Sequence, residues 1–136
     1  MDQEFTCIKI LCVDDDGDFL QLLKTVLEKI NRNLSIDTAA SADGALQLFE
    51  RGNHDIIISD YQMPGRSGLD LLEELREKND HTPFILLTGK GEVDIMLRTV
   101  QSGAYYLRKR VRTGSIFVDL NAMILMIASE SKRKER

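Results

Sequence analysis

The chain has 136 residues, of which 43% are hydrophobic, which is enough for one domain with a full core but not for a second domain. Its formal net charge of -4, with acidic and basic residues mixed along most of the chain, argues against a nucleic-acid partner. No apolar run approaches the roughly 20 residues that span a bilayer, and residues 1–4 lack the basic and apolar regions of a signal peptide. We therefore expect a cytoplasmic protein that binds neither a membrane nor nucleic acid.

Short apolar runs alternate with amphipathic patterns along the chain. Residues 8–13 predict the first strand, and Asp16 or Asp18 is available to cap the helix that follows. That helix repeats apolar residues at helical spacing, namely Phe19, Leu23, Val26, Leu27 and Ile30. Further strands are predicted at 34–38, 55–59, 84–88 and 105–107. Further helices are predicted after the cap Ser41, after Gly68, after Gly91 and from Ile116 to Ala128.

Five strands that alternate with five helices predict an α/β fold, because right-handed crossovers between parallel strands leave few other arrangements. The expected architecture is a doubly wound, flavodoxin-like, five-stranded parallel sheet with helices on both faces and the strand order 2-1-3-4-5. This order places strands 1 and 3 side by side. Residues 1–130 form the expected domain, and residues 131–136 are a basic tail or the start of a linker.

The third strand carries the first functional signal. Ile56, Ile57 and Ile58 are typical of a strand that is buried on both faces, and Asp60 stands where this strand ends. Open α/β sheets bind ligands at the carboxyl ends of their strands, where the loops form a crevice. Asp60 is therefore a candidate site residue, the alternative being an ordinary acidic residue in a strand-to-helix loop.

Other polar side chains follow strands 1, 4 and 5 at the same edge of the predicted sheet: Asp14, Asp15, Thr88 and Lys109. Two like charges about 4 Å apart repel by about 4 kcal/mol at an effective dielectric constant near 20, so three clustered carboxylates need a cation. Carboxylate and carbonyl oxygens suit Mg²⁺, which can keep Asp60 ionised as a nucleophile and neutralise a transferring phosphoryl group. With Lys109 as a positive charge and Thr88 as a hydroxyl donor, the set predicts phosphoryl transfer to a carboxylate. Each residue alone has an ordinary structural explanation.

Over nearly its whole length the chain resembles the receiver domain of two-component response regulators. The matching motifs are Ile10-Leu11-Cys12-Val13-Asp14-Asp15-Asp16, Ser59-Asp60-Tyr61-Gln62-Met63-Pro64 with Gly68, Leu86-Leu87-Thr88-Gly89, and Ser102-Gly103-Ala104 leading to Tyr106-Leu107-Arg108-Lys109. The first, second and last of these motifs are highly specific in combination.

The resemblance implies that Asp60 accepts a phosphoryl group from a histidine kinase or a phosphotransfer domain. It implies that Mg²⁺ is held by Asp14, Asp15, Asp60 and the backbone carbonyl of Gln62, with Asp15 the more direct ligand. It also implies that Thr88 and Lys109 hold the phosphoryl oxygens and that Tyr106 turns inward when Thr88 moves. Phosphorylation would then switch the surface of helix 4, strand 5 and helix 5. The domain would hydrolyse its own phosphoaspartate but would not turn over an external metabolite.

The lysine loop departs from the family pattern in two ways. Arg110 follows Lys109 where most receivers have proline, often with a cis bond. A cis bond without proline costs about 2.5 to 4 kcal/mol, so we predict a trans or rearranged loop here. The stretch from Gly103 to Tyr106 is also one residue short, which leaves Arg108 and Arg110 as alternatives to Lys109.

Two other classes of function fit part of the sequence. Residues 11–17 also resemble the first motif of haloacid-dehalogenase-like phosphatases, with Asp14 as nucleophile and Asp16 as general acid. Against this alternative, the chain has no later acidic pair for a metal and no role for Asp60 with Met63 and Pro64. A receiver-like binding module that is not phosphorylated is the second alternative.

The last predicted helix is unusually rich in apolar residues. Beyond its buried stripe, the last helix carries Val118, Met123, Leu125 and Met126, which is more apolar surface than one buried face requires. We therefore predict a homodimer through helix 4 and helix 5, the alternative being a fully covered helix. His54 and His81 stand beside polar residues in loops and are expected to be solvated.

Overall fold

The computed structural model describes residues 7–89, 91–109 and 115–134, and within them strands and helices alternate as expected. The strands are β1 (Ile8–Val13), β2 (Leu34–Ala39), β3 (Ile56–Asp60), β4 (Phe84–Thr88) and β5 (Tyr105–Arg108). The helices are α1 (Gly17–Ile30), α2 (Ala42–Arg51), α3 (Gly68–Glu77), α4 (Val93–Gln101) and α5 (Ser115–Lys134). None of these helices is long and apolar enough to cross a membrane.

The sheet is parallel and has the order β2-β1-β3-β4-β5, which confirms the predicted topology. In the register of β1 with β3, Val13 lies opposite Ser59. Asp14 and Asp60, each one residue further along, therefore leave the sheet side by side. Thr88 lies opposite Arg108 where β4 pairs with β5, so Lys109 emerges at the same edge.

The hydrophobic core lies on both faces of this sheet. On one face, α1 and α5 cover a buried cluster that includes Leu23, Leu27, Leu120 and Ile124. On the other face, residues of α2, α3 and α4 pack against the alternate side chains of β1, β3 and β4. Every residue of β3 and β4 is buried, so close packing on both faces sets where these strands place Asp60 and Thr88.

The edge strand β2 is tied to α1 by two charged side chains. Lys24 Nζ donates a hydrogen bond of 2.6 Å to the carbonyl of Ile36, and the Ile36 amide donates one of 3.0 Å to Glu28 Oε2. These backbone groups face away from β1, so α1 occupies positions where another strand could pair.

Several bounds of the strands and helices differ by one to a few residues from the sequence-based expectations. β3 begins at Ile56 and includes Asp60. α5 extends to Lys134, so residues 131–134, assigned above to a tail, continue the helix.

The expectation for His54 was wrong. Its side chain is buried, with 7% of the residue exposed, and Nε2 lies 2.8 Å from Asp37 Oδ2. The ring also stacks on Phe49 of α2, with the ring centroids 6.2 Å apart. Contacts with Phe49 and Asp37 therefore bury His54, although it stands in a polar stretch of the sequence. His81 is exposed as expected.

Candidate functional site

Asp60 is fixed by the backbone around the end of β3. It is 9% exposed, and the amide of the next residue, Tyr61, donates a 2.7 Å hydrogen bond to the carbonyl of Leu87 in β4. The chain then folds back, so the amide of Gly68 donates to the carbonyl of Tyr61 at 2.9 Å. A Cβ atom at Gly68 would lie 2.1 Å from the carbonyl oxygen of Asp60, so only glycine fits at this contact. The start of α3 therefore packs directly on the backbone of Asp60.

The three acids after β1 have different surroundings. Asp14 is 2% exposed, and its Oδ1 accepts a 2.9 Å hydrogen bond from the amide of Asp16. Asp16 is the N-cap of α1, because its Oδ1 accepts from the amide of Phe19 at 3.1 Å. Asp15 is exposed and lines the cleft described below. The helix thus uses Asp16 for capping, while Asp14 and Asp15 lie beside Asp60.

Lys109 joins two of these carboxylates. Its amide donates to the carbonyl of Thr88 at 2.8 Å, and its Nζ donates to Asp14 Oδ2 at 2.9 Å and lies 3.3 Å from Asp60 Oδ1. Arg108 is exposed, with its guanidinium beside Gly91. Arg110 is outside the described residues, and so is the predicted trans or rearranged bond between Lys109 and Arg110. Of Lys109 and Arg108, it is Lys109 that reaches the acids.

Burial and charge act in opposite directions on the two ionisable groups at the centre. Burial raises the pKa of Asp60, and the charges of Asp14 and Asp15 add to this rise, against the lowering effect of Lys109. Burial alone would lower the pKa of Lys109. The hydrogen bond to Asp14 and the charges of Asp60 and Asp14 outweigh it, so the pKa of Lys109 is raised. Lys109 is therefore held in its charged form. Its single positive charge cannot balance three carboxylates.

The acidic cluster fits a divalent cation. Asp14, Asp15 and Asp60 can each offer one oxygen, and these oxygens lie within 4.8 Å of one another. At that distance each pair of charges repels by about 3.5 kcal/mol at an effective dielectric constant of about 20. Carboxylate oxygens are ligands that Mg²⁺ prefers, so a cation shared by these groups would relieve the repulsion.

A cleft of about 610 Å³ opens over Asp60. Gln62, Thr88 and Lys109 line it, as do Asp15 and Asp60, so most of the predicted site residues meet here. Tyr106 is different, because it is half-buried in β5 and packs against the core cluster under α2, α3 and α4.

Glu92 and Phe19 also lie in this region but were not among the predicted site residues. Glu92, the N-cap of α4, also lines the cleft. The Phe19 ring lies 4.2 Å from Lys109 Nζ, measured to the ring centroid. No sequence motif marks Glu92, and Phe19 was counted only as part of an apolar helix stripe.

The doubly wound sheet, with acids and a lysine at its switch point, places the chain in the class of α/β domains that bind ligands at this edge of the sheet. Comparison with known families makes the class specific, because the response regulator receiver domain family matches residues 10–121. The chain belongs to this family, as its motifs predicted. Receiver domains are signalling modules, and histidine kinases are the partners of the family. The comparisons do not support either alternative class.

Individual relatives agree with this assignment. The chain is 42% identical over 84 residues to the transcriptional regulatory protein ResD of Bacillus subtilis, a match that covers 62% of this chain and 34% of ResD. It is 34% identical over 101 residues to the chemotaxis protein CheY of Pseudomonas aeruginosa, covering 71% of this chain and 78% of CheY. The chain thus matches about a third of one relative and more than three quarters of the other.

A solved structure extends the comparison to the whole fold. The response regulator TrrA of Thermotoga maritima, in complex with Mg²⁺-BeF, superposes with a TM-score of 0.71 at 32% identity. The match covers 85% of this chain and 97% of TrrA.

Proposed function

We propose that Asp60 is the phosphoacceptor of this receiver domain and that its donor is a histidine kinase or a phosphotransfer domain. One observation carries the proposal: Asp60 ends the central strand, faces the cleft, and lies beside Lys109 and within reach of Asp14 and Asp15. A buried carboxylate among acids and a lysine has the surroundings that phosphoryl transfer to a carboxylate requires.

Each neighbouring residue has a role in this reaction. A carboxylate oxygen of Asp60 forms a bond to phosphorus, the phosphorus–nitrogen bond of the donor phosphohistidine breaks, and the imidazole nitrogen keeps the electron pair. Lys109 already lies 3.3 Å from Asp60 Oδ1, so its ammonium is placed to bind a phosphoryl oxygen carried there. Thr88, the last residue of β4, offers a hydroxyl donor at the same cleft. Hydrolysis of the phosphoaspartate by the domain itself would end the signal.

Asp14, Asp15, Asp60 and the backbone carbonyl of Gln62 are the proposed Mg²⁺ ligands. The carboxylate cluster and the Mg²⁺-BeF complex of the relative TrrA support this choice of cation. When bound, Mg²⁺ would neutralise charge on the carboxylates and on the transferring group.

The proposed output surface consists of α4, β5 and α5. Tyr106 of β5 would turn inward with Thr88 on phosphorylation and so change this surface. Apolar side chains on α4 and α5 are exposed, including Val93, Leu97, Val100, Val118 and Leu125. A homodimer through α4 and α5 stays a prediction, and light scattering with and without beryllofluoride would test it, since a monomer under both conditions contradicts it.

Mass spectrometry after incubation with acetyl phosphate and Mg²⁺ tests the phosphoacceptor. We expect one phosphoryl group on Asp60, none on Asp60→Asn, and none after chelation of the metal. Asp119→Asn, which changes an exposed acid of α5, is the matched control and should be labelled like the parent. A label on Asp14 would instead support the phosphatase alternative, and no label at all would support a binding module.

A further inference from the structure

The Lys109 ammonium contacts an aromatic ring as well as two carboxylates. Its Nζ lies 4.2 Å from the centroid of the Phe19 ring, and its side chain is 19% exposed. This distance is well inside the range of about 6 Å over which a lysine is attracted to the face of a ring. Because the ammonium is partly removed from water, the attraction is stronger than it is at an open surface.

The position of Phe19 follows from the acidic stretch before it. Asp16 caps α1 by accepting a hydrogen bond from the amide of Phe19, and Asp14 accepts one from the amide of Asp16. These two bonds fix the first turn of α1 relative to Asp14. The segment that carries Asp14 and Asp16 therefore also determines the position of the Phe19 ring.

A ring face suits this place better than a further charged partner. The lysine stem is flexible, so the ammonium needs contacts on more than one side to stay beside Asp60. A fourth carboxylate would hold it but would add to the repulsion among Asp14, Asp15 and Asp60. An aromatic ring attracts the ammonium through its quadrupole and carries no net charge.

We propose that Phe19 is a positioning residue for the phosphoacceptor reaction: its ring face holds the Lys109 ammonium beside Asp60. This inference rests on the proposed function of Asp60 and Lys109. Phe19 also packs against the core under α1 and α5, so its test has to separate loss of the ring face from loss of packing.

Two substitutions make that separation. Phe19→Leu keeps an apolar side chain and removes the ring, whereas Phe19→Tyr keeps the ring. Phe117→Leu is the matched control, because Phe117 is a half-buried aromatic residue packed against the same core cluster. With acetyl phosphate and Mg²⁺, we expect Phe19→Leu to slow the labelling of Asp60 by about five- to tenfold. Phe19→Tyr and Phe117→Leu should remain within about twofold of the parent.

A spectroscopic measurement tests the contact without any phosphoryl transfer. In the metal-free protein, the ring current of Phe19 should shift the side-chain proton resonances of Lys109 upfield. Phe19→Leu should abolish this shift, and Phe19→Tyr should keep it. Absence of the shift in the parent, or equal labelling rates for the leucine and tyrosine variants, would overturn the inference. If the parent is not labelled at all while the shift is present, the proposed function fails and the contact stands.

Discussion

Gly68→Ala tests how closely α3 holds Asp60, the proposed phosphoacceptor. The added Cβ would lie 2.1 Å from the carbonyl oxygen of Asp60 and 2.8 Å from Ser59 Oγ. A carbon and an oxygen atom need about 3 Å or more, so either the start of α3 or the end of β3 has to move by about 1 Å. We expect a loss of about 3 kcal/mol in the free energy of unfolding, which is at the upper end for overpacking.

The same displacement should also slow the phosphorylation of Asp60. A misplacement of about 1 Å can slow a reaction by up to about 100-fold, so labelling of Gly68→Ala by acetyl phosphate should slow by about 10- to 100-fold. Urea unfolding and the rate of labelling on Asp60 give the two values. If Gly68→Ala matched the parent in both, the packing of α3 on Asp60 would not constrain the site.

Gly17→Ala is the control for this prediction. Gly17 is the first residue of α1, as Gly68 is of α3, and both helices begin at the same edge of the sheet. A Cβ at Gly17 would meet no atom within 4 Å. We expect Gly17→Ala to be neutral or to gain up to about 1 kcal/mol, because alanine restricts the unfolded chain.

Three further predictions concern charge. In urea titrations without divalent cations, Lys109→Met should lower the free energy of unfolding by about 3 kcal/mol, because Asp14 and Asp60 lose the ammonium between them. Adding Mg²⁺ should recover part of this loss. An equal loss with and without Mg²⁺ would contradict the proposed metal site. The raised pKa of Asp60 means that the folded state favours the protonated carboxyl group. As pH rises from the ordinary pKa of 3.8 through the raised pKa, the contribution of Asp60 to stability therefore falls. Without divalent cations, Asp60→Asn should therefore be more stable than the parent at pH 7, and the difference should shrink as pH falls towards 3.8; a constant difference in urea midpoints would refute this. Glu28→Ala should lower the free energy of unfolding in urea by about 1 kcal/mol, because it removes the acceptor of the Ile36 amide. Glu50→Ala, at an exposed position of α2, is the control. If Glu28→Ala lost no more stability than Glu50→Ala, the hydrogen bond would contribute nothing.

The fold could be predicted because its signals are local and repeated. A continuous apolar run such as 84–87 is typical of a strand buried on both faces, and helical spacing follows each such run. The site followed from the topology, because parallel strands bring their carboxyl ends to one edge. This is why Asp14, Asp60 and Lys109 could be grouped although up to 95 positions separate them.

Contacts between distant side chains could not be predicted in the same way. The sequence left Asp16 and Asp18 as equal candidates for the cap of α1, and only the hydrogen bond to the Phe19 amide distinguishes them. His54 stands in a polar stretch, but its burial depends on Asp37 and Phe49, which other elements supply. Phe19 is half-buried, as the apolar spacing of α1 predicted. That spacing did not indicate that Lys109 lies at the Phe19 ring.

The surroundings of the acids explain why Asp60 rather than Asp14 is the expected nucleophile. Both oxygens of Asp14 accept hydrogen bonds, Oδ1 from the amide of Asp16 and Oδ2 from Lys109, so an attack by either oxygen would compete with a hydrogen bond that it already makes. Asp60 faces the cleft and shares only the ammonium that a phosphoryl oxygen would also use. Burial raises the pKa of Asp60, so a cation that binds beside this carboxylate would stabilise the ionised form that attacks phosphorus. In the proposed reaction, we therefore expect the reactivity of Asp60 to depend on the bound metal.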